Sequence, residues 1–364
     1  VVGADPTRPG GAVANGLAAP PATTAVIDLD IDALRSWCDE RIARPIDATS
    51  CCYDSVLIRH ADDDWTWWLD LHHLVTDGAS QALVHALTSR AYAGDDIETP
   101  SYAALADEQH AEVPTEFAPT PPDPAPPLRP FGVRGSTTTA STRSQMRIGD
   151  VDASDLAEAI TEAYPSISPD LSLAAVCASA LACTMQRLDG RSAFRIGLPV
   201  GNRAGRLRRE LVGPLMELHP IDVVIEDGDS CSTLVERTLA STLEMLRAVR
   251  RNPSARGGDF EMVVNVFRGE YGTFASFPVE VAWHRARHVD PAHSIRIHAF
   301  DYGNDLEVEL DVNDALRPDS VPARLDEHVG RVIAAMIADP AATIRDLTIA
   351  TDDDLDAQRA LNPS

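Results

Sequence analysis

One stretch constrains the fold more than any other. Residues 65–94, WTWWLDLHHLVTDGASQALVHALTSRAYAG, change their apolar spacing part-way along. Over 65–75 every second position is a tryptophan, leucine, histidine or valine, and successive strand side chains point to opposite faces. From Ala79 the apolar residues recur at helical spacing, until Gly94 supplies a C-terminal stop. The pattern predicts a buried strand, a tight turn and a helix.

The turn carries His72, His73 and Asp77 and is the first candidate for a site. Neighbouring strand residues face opposite ways, so the two imidazoles diverge and a shared metal ion is unfavourable. For His72 the favoured interpretation is a histidine that satisfies a backbone or side-chain partner. For Asp77 it is the N-cap of the following helix. Gly78 fits a position where a side chain would obstruct the turn.

Composition excludes several classes of function. The chain has 364 residues, 44% of them hydrophobic, and a formal charge of -25. Nucleic acids and anionic membranes require a positive surface, so neither is an expected partner. No stretch reaches the length of uninterrupted apolar residues that a spanning helix needs, and no leader-like segment opens the chain. We therefore expect a globular cytoplasmic protein.

The side-chain inventory narrows the chemistry further. All 31 basic residues are arginine, which excludes a Schiff-base lysine, a pyridoxal-phosphate enzyme and a lysine-bearing phosphate loop. The six cysteines form no CxxC pair and are predicted to be buried free thiols. The histidines of the segment WHRARHVDPAHSIRIH do not have the spacing of a metal site, so no metal is predicted; they are His284, His288, His293 and His298.

The order of segments predicts two lobes of mixed α/β structure. Residues 1–24 are rich in glycine, proline and alanine and are predicted to be irregular. In 114–130, eight of the seventeen residues are proline, which predicts an extended connector. We divide the chain into an N-terminal lobe with this connector, 1–130, and a C-terminal lobe, 131–364. The second lobe is predicted to alternate helices with strands, including a strand over 279–283.

The motif His72-His73-Leu74-Val75-Thr76-Asp77-Gly78 resembles the HHxxxDG motif of the condensation domains of nonribosomal peptide synthetases. Residues 194–203, FRIGLPVGNR, are similar to the strand and turn that end in an arginine in that family, here Arg203. Residues 262–267, with Asn265, resemble a second-lobe strand that often carries an asparagine. The resemblance covers the chain from Ile27 onward.

The resemblance implies two chloramphenicol acetyltransferase-like lobes arranged in a V, with mixed sheets and a central tunnel. It implies a condensation-type acyltransferase of antibiotic and other secondary metabolism. This enzyme would join a carrier-bound acyl or peptidyl thioester to an amine, or to a hydroxyl. His73 would be the catalytic residue, as a general base or as an anchor for the amine. The implied supporting residues are His72, Asp77, Gly78 and Arg203. Arg203 is the candidate for an arginine of the other lobe that forms an ion pair with Asp77. The implied tunnel residues are Asn265 and Ser80.

The implied partners are acyl and peptidyl carrier proteins, which bring their own phosphopantetheine, and neighbouring synthetase modules. No cofactor of the chain itself is expected. A further hypothesis gives Arg206, Arg208 and Arg209 a role in docking the carrier, since arginine binds phosphate through paired hydrogen bonds. Two alternatives stay open, a stand-alone acyltransferase that uses coenzyme A thioesters and a non-catalytic recruitment domain.

The chain departs from the family pattern before the motif. The 71 residues that precede His72 contain neither the family's first helix nor its arginine-rich LRTxF-like segment. The first strands of the first lobe are therefore expected to be missing, supplied elsewhere or unrecognisable in sequence.

Overall fold

The computed structural model describes residues 25–111, 127–131, 135–251, 259–269, 271–286, 290–301, 306–316 and 324–361. Its helices, in chain order, are α1 (Ile31–Ile42), α2 (Gly78–Tyr92), α3 (Tyr102–Ala111), α4 (Ala153–Ala163), α5 (Pro169–Asp189), α6 (Arg206–Glu210), α7 (Cys231–Arg251), α8 (Leu325–Ala338) and α9 (Asp352–Leu361). Its strands are β1 (Ala25–Asp28), β2 (Tyr53–Arg59), β3 (Trp65–Leu71), β4 (Ser141–Gln145), β5 (Ala193–Val200), β6 (Glu217–Val224), β7 (Met262–Arg268), β8 (Ile295–Asp301) and β9 (Glu307–Asn313).

The chain folds into two compact units. Unit 1 consists of Val1–Thr115, Gly201–Met216 and Glu270–Ala286. Unit 2 consists of Glu116–Val200, Glu217–Gly269 and Arg287–Ser364. Two segments that follow residue 130 therefore belong with unit 1. The residues 1–24 and most of the proline-rich stretch 114–130 lie outside the described part of the chain.

Unit 1 is built on a three-stranded sheet in the order β1-β2-β3. β1 runs parallel to β2, and β3 runs antiparallel to it with Val56 opposite Trp68. α1 packs on one face, where Val56, Ile58 and Trp68 are buried with Cys38 of the helix. Trp37 of α1 meets Trp68 edge to face, with ring centroids 5.5 Å apart. This small core carries the strand that leads to the histidines.

Unit 2 packs the long apolar helix α5 against a six-stranded sheet in the order β4-β9-β8-β7-β5-β6. Ser168 caps the start of α5, Pro169 occupies its first turn, and Gly190 ends it with φ of 78°. By length and composition α5 could cross a membrane, but 78% of its most apolar window is buried inside the protein. α5 is therefore the core helix of unit 2, in contact with α4, α7, α8 and β7.

One prediction about the sheet of unit 1 was wrong. The strand before the histidines was predicted to be buried through Trp67, Leu69 and Leu71, but its one buried residue is Trp68, on the opposite face. In α2 the buried residue is Ser80.

A second prediction, in the later part of the chain, was also wrong. Residues 279–283 form no strand, because the segment has no neighbouring strand to pair with in the described structure. The strand and the helix predicted within 65–94 are present as β3 and α2, although β3 ends at Leu71.

The cysteines divide into two environments. Cys38, Cys177, Cys183 and Cys231 are buried free thiols, as predicted, whereas Cys51 and Cys52 are free but only half-buried. Burial raises the pKa of Cys177 to about 12 and that of Cys231 to about 11. The buried thiols are therefore protonated over the physiological range.

Candidate active site

The two histidines lie in the turn that the sequence predicted. β3 ends at Leu71, so the strand alternation expected to continue to Val75, with the imidazoles on opposite strand faces, stops before them. The His72 N–H donates to the Cys52 carbonyl at 2.8 Å, which extends the β2–β3 pairing by one hydrogen bond. The Val75 N–H then donates to the His72 carbonyl at 3.0 Å and closes the turn.

His72 holds this turn through its ring. Its Nδ1 accepts a hydrogen bond from the Leu74 N–H at 3.1 Å. An Nδ1 that accepts carries no proton, so the neutral ring has its hydrogen on Nε2. The contact agrees with the interpretation of His72 as a histidine with a backbone partner.

His73 is exposed and differs from His72 in its bonding. Neither ring nitrogen of His73 is hydrogen-bonded to any group in the described ranges of the chain. The turn around it is fixed on one side by His72 and on the other by Asp77. His73 is thus a positioned imidazole with both nitrogens available to a ligand.

Asp77 accepts four hydrogen bonds although it is only 2% exposed. Its Oδ1 accepts the Ser80 N–H at 2.8 Å, which caps α2, and Nη2 of Arg203 at 2.7 Å. Its Oδ2 accepts the backbone N–H groups of Leu215 at 3.0 Å and Met216 at 3.1 Å. The N-cap predicted from the sequence is present, and so is the ion pair with Arg203 that the resemblance implied. The expectation that this arginine belongs to the other lobe was wrong, because Arg203 and Asp77 are both in unit 1.

The ionisation of Asp77 follows from these partners. Burial raises the pKa of the carboxyl group, because the charged form loses water. The Ser80 N–H and the Arg203 guanidinium stabilise the charged form and outweigh burial. The pKa of Asp77 therefore lies below its usual value, and the group is ionised at neutral pH.

Arg203 ties the segment Gly201–Met216 together around this carboxylate. Its Nη1 donates to the Leu211 carbonyl at 2.7 Å and to the Arg208 carbonyl at 3.0 Å. Its Nη2 also donates to the Gly213 carbonyl at 3.1 Å. All of these residues belong to unit 1, so the bonds join parts of one compact unit. We call the group Asp77, Ser80, Arg203 and Gly213 the carboxylate latch.

Ser80 is part of the latch and not of a substrate-lining surface. Its side chain is fully buried, which contradicts its prediction as a tunnel residue. The hydroxyl donates to the Gly213 carbonyl at 2.8 Å and accepts the Gly213 N–H at 3.0 Å. A Cβ added to Gly213 would lie 2.4 Å from the Tyr102 ring of α3, so the close approach requires glycine. Gly78 is the first residue of α2.

The remaining predicted residues lie apart from the latch. Asn265 is a half-buried residue of β7 in unit 2. Arg206 is 87% exposed on α6 and pairs with Glu210 at 2.9 Å. The backbone carbonyl of Arg208 accepts a hydrogen bond from Arg203, and Arg209 is exposed.

The histidines outside the motif have protein neighbours. His284 lies against Trp68, with ring centroids 5.9 Å apart, and His293 stacks on Phe260 at 4.9 Å. His298 pairs with Asp311 at 3.3 Å. His288 lies outside the described residues. No cluster with the makings of a metal site is present in the described ranges.

Sequence reasoning missed a second charged group beside the turn. Asp54 and Asp70 are directly opposite on β2 and β3, and Arg41 binds Asp54 through two hydrogen bonds of 2.6 Å. Burial and the neighbouring Asp54 charge raise the pKa of Asp70, although His72 and Arg41 act in the opposite direction. The sequence shows that Asp54 and Asp70 are neighbours only when the register of the β2–β3 hairpin is known.

Known proteins match the chain at the level of fold. No family model matches it. The chain is 25% identical over 336 residues to an isonitrile lipopeptide synthase of Streptomyces coeruleorubidus. The aligned residues make up 86% of this chain but only 23% of that synthase. The chain thus spans about a quarter of the length of this curated relative.

Solved structures give the same result. The first condensation domain of the CDA synthetase superposes with a TM-score of 0.67 at 18% identity, covering 96% of this chain and 82% of that one. A variant of the starter condensation domain of rhizomide synthetase RzmA, in complex with C8-CoA, superposes with a TM-score of 0.62 at 19% sequence identity. The match covers 91% of this chain and 81% of that domain. The chain has the condensation-domain fold, so the resemblance predicted from the motif is confirmed at the level of fold.

Proposed function

We propose that the chain is a condensation-type acyltransferase that joins a carrier-bound acyl or peptidyl thioester to an amine. The observation that carries this proposal is His73, an imidazole without a hydrogen bond from the described residues, in a turn fixed by His72 and by the carboxylate latch. The condensation-domain fold and the relation to a lipopeptide synthase support it. We propose a cytoplasmic location.

The chemistry needs little beyond placement and one proton transfer. The amine nitrogen attacks the thioester carbonyl carbon, and the C–N bond forms as the C–S bond breaks. The nitrogen loses one proton and the departing thiolate gains one. His73 would hold the amine through a ring nitrogen and relay that proton, while the thiol leaves on the phosphopantetheine arm of its carrier. Asp77 and Arg203 would take no part in bond making, because their charges are paired with each other in the latch.

The test is product formation with an acyl-loaded carrier protein and an amine, followed by intact mass. We expect His73→Ala to slow the reaction about 10²- to 10⁴-fold, the usual range for a proton-transfer group. His73→Gln separates the two roles, because glutamine can hold an amine but cannot take its proton. His328→Ala, on α8 of unit 2, is the matched control and should keep the wild-type rate. Full activity of His73→Ala would remove the proposed role.

A second candidate function is transfer from a soluble coenzyme A thioester. It is favoured by the rhizomide synthetase neighbour, whose structure holds C8-CoA. Octanoyl-CoA offered in place of the loaded carrier distinguishes the two donors. Product from octanoyl-CoA at the rate seen with the carrier would support the stand-alone enzyme. Carrier binding without product from either donor would support a recruitment domain.

Docking of the carrier is the part of the proposal that depends on surface charge. Arg206 and Arg209 are exposed within a chain of formal charge -25, so they offer local positive charge to a phosphate or an acidic surface. The double charge reversal Arg206→Glu, Arg209→Glu should weaken carrier binding, measured by fluorescence anisotropy at low salt. Arg331→Glu, an exposed arginine of α8, is the matched control. Equal carrier affinity in all three proteins would discard this docking site.

A further inference from the structure

The histidine turn, residues 72–75, is closed by hydrogen bonds that end on His72. The Val75 N–H donates to the His72 carbonyl at 3.0 Å, and the Leu74 N–H donates to Nδ1 of the His72 ring at 3.1 Å. The His72 N–H donates to the Cys52 carbonyl at 2.8 Å, which attaches the turn to the residue before β2. One bond that closes the turn thus depends on a titratable side chain.

Packing contributes little to the conformation of the histidine turn. The side chains of Leu74 and Val75 are 66% and 38% exposed, and His73 is exposed as well. Beyond the turn, Asp77 is buried and held by the carboxylate latch. Because the turn buries so little apolar surface, its conformation depends on directional hydrogen bonds. The loss of one of them would change the position of His73.

The bond from Leu74 requires an unprotonated Nδ1 on His72. A neutral imidazole with its hydrogen on Nε2 offers Nδ1 as an acceptor, whereas an imidazolium carries a hydrogen on both nitrogens. In the charged ring, Nδ1–H and the Leu74 N–H would be two donors 3.1 Å apart. Histidine is the side chain whose charge ordinarily changes between pH 5 and 8. The bond therefore stabilises the turn when the ring is neutral and is lost in acid.

Charged groups near His72 come from β3, β2 and α1. Burial and the Asp54 charge raise the pKa of Asp70, and a charged His72 acts in the opposite direction. By reciprocity, an ionised Asp70 favours the charged His72 ring. Asp54, opposite Asp70 on β2, is paired with Arg41 of α1 through two hydrogen bonds of 2.6 Å. Arg44 also acts on Asp54. Asp70 is therefore a carboxylate that can shift the titration of the turn.

The carboxylate latch does not titrate over the same range. Although burial raises the pKa of Asp77, the hydrogen bonds from Ser80 and Arg203 lower it below its usual value. Asp77 thus stays ionised from about pH 5 to 8, and the far end of the turn stays fixed. A conformational change over this range is confined to residues 72–75.

We propose that His72 is a positioning residue that switches the histidine turn with pH. Its neutral ring closes the turn through Nδ1, and protonation of that nitrogen opens the turn and displaces His73. The switch is a property of the turn itself, whereas its effect on acyl transfer rests on the proposed function. The reaction would then lose rate in acid for two reasons, the protonation of His73 and the opening of the turn by His72.

Solvent exchange of the Leu74 and Val75 amides, measured by NMR on the full chain without substrate, tests the switch directly. Between about pH 7.5 and 5.5, after correction for intrinsic exchange, both should lose about fivefold or more of their protection, as expected for one lost hydrogen bond. The Ser80 amide, bound to the Asp77 carboxylate at 2.8 Å, is the internal control and should keep its protection. The ring ¹⁵N shifts of His72 at the higher pH should place the proton on Nε2. Unchanged protection of both amides, or a proton on Nδ1, would overturn the proposal.

Three variants assign the titration to one nitrogen. In His72→Asn the side-chain oxygen lies near the position of Nδ1 and does not titrate, so protection of the Leu74 amide should persist in acid. In His72→Gln the oxygen lies near the position of Nε2, so this amide should be unprotected at both pH values, with the Ser80 amide showing that the latch is intact. His73→Ala should keep the wild-type pH dependence. A dependence that survives in His72→Asn, or disappears in His73→Ala, contradicts the switch.

Asp70→Asn tests the charge that acts on the ring. It removes the carboxylate that favours the charged His72, so the turn should open at a lower pH than in the wild type. Opening at a higher pH would contradict this assignment. These measurements need neither carrier nor acyl donor, so they can succeed even if acyl transfer is absent. Acyl transfer by a protein whose turn shows no pH dependence would support the proposed function and reject the switch.

Discussion

The two units are stabilised in different ways, as their central helices illustrate. α5 of unit 2 buries every residue from Ser172 to Met185, while α2 of unit 1 buries Ser80 and leaves its apolar residues half-exposed. What fixes α2 is the carboxylate latch. Unit 2 thus depends on close packing, which is spread over many side chains. The turn of His73 depends on a few directional hydrogen bonds, which one substitution can remove.

Removing the Asp77 carboxylate of the latch is the most direct test of this difference between the two units. Asp77→Ala should cost unit 1 about 3–5 kcal/mol, because it leaves the Arg203 charge and three backbone N–H groups without their acceptor. Asp95→Ala is the control, since its ion pair with Arg90 is exposed and should be worth about 0–1 kcal/mol. Hydrogen exchange of the Leu215 and Met216 amides measures both. An equally small effect of the two substitutions would refute the view that the latch holds unit 1.

A second comparison measures packing directly. Leu181→Ala in α5 removes a fully buried side chain and should cost about 2–5 kcal/mol. Leu83→Ala in α2 removes a half-buried one and should cost about 1 kcal/mol. The readout is the free energy of unfolding of each unit from denaturant-dependent hydrogen exchange. Similar losses at both positions would show that the two units are packed alike.

The smallest effect concerns the charge next to the turn. Asp70 has a raised pKa, so its contribution to stability is full below its unfolded pKa and is lost as the pH rises through the folded pKa. Asp70→Asn should therefore stabilise unit 1 at pH 7, by less than about 1 kcal/mol, because it removes a like charge opposite Asp54. Thermal melts at several pH values should show the gain shrinking in acid. A gain that persists in acid would contradict this cause.

Local patterns predicted the local features of the site. The start of α2 and its cap at Asp77 follow from apolar spacing and a capping residue, which act within a few positions. The partnership of Asp77 with Arg203 was reached only through family resemblance, since 126 positions separate them.

What sequence reasoning missed depends on contacts between distant segments. Nothing near Ser80 in sequence indicates that its hydroxyl donates a hydrogen bond to the carbonyl of Gly213, 133 positions away. The segment 279–283 has the alternation of a strand, but a strand also needs a neighbour to pair with. The exposure of α2 likewise depends on what packs against it, which its own spacing does not contain.

The uneven burial of the cysteines makes the site accessible to spectroscopy. A thiol-directed probe reacts with thiolates, so at neutral pH it should spare the buried Cys38, Cys177, Cys183 and Cys231 and modify Cys51 and Cys52. The Cys52 carbonyl is the acceptor for the His72 N–H. A fluorophore or spin label at Cys51 in a Cys52→Ser background would therefore report movements of the histidine turn. No cysteine would have to be introduced, and none in the core of unit 2 would have to be removed.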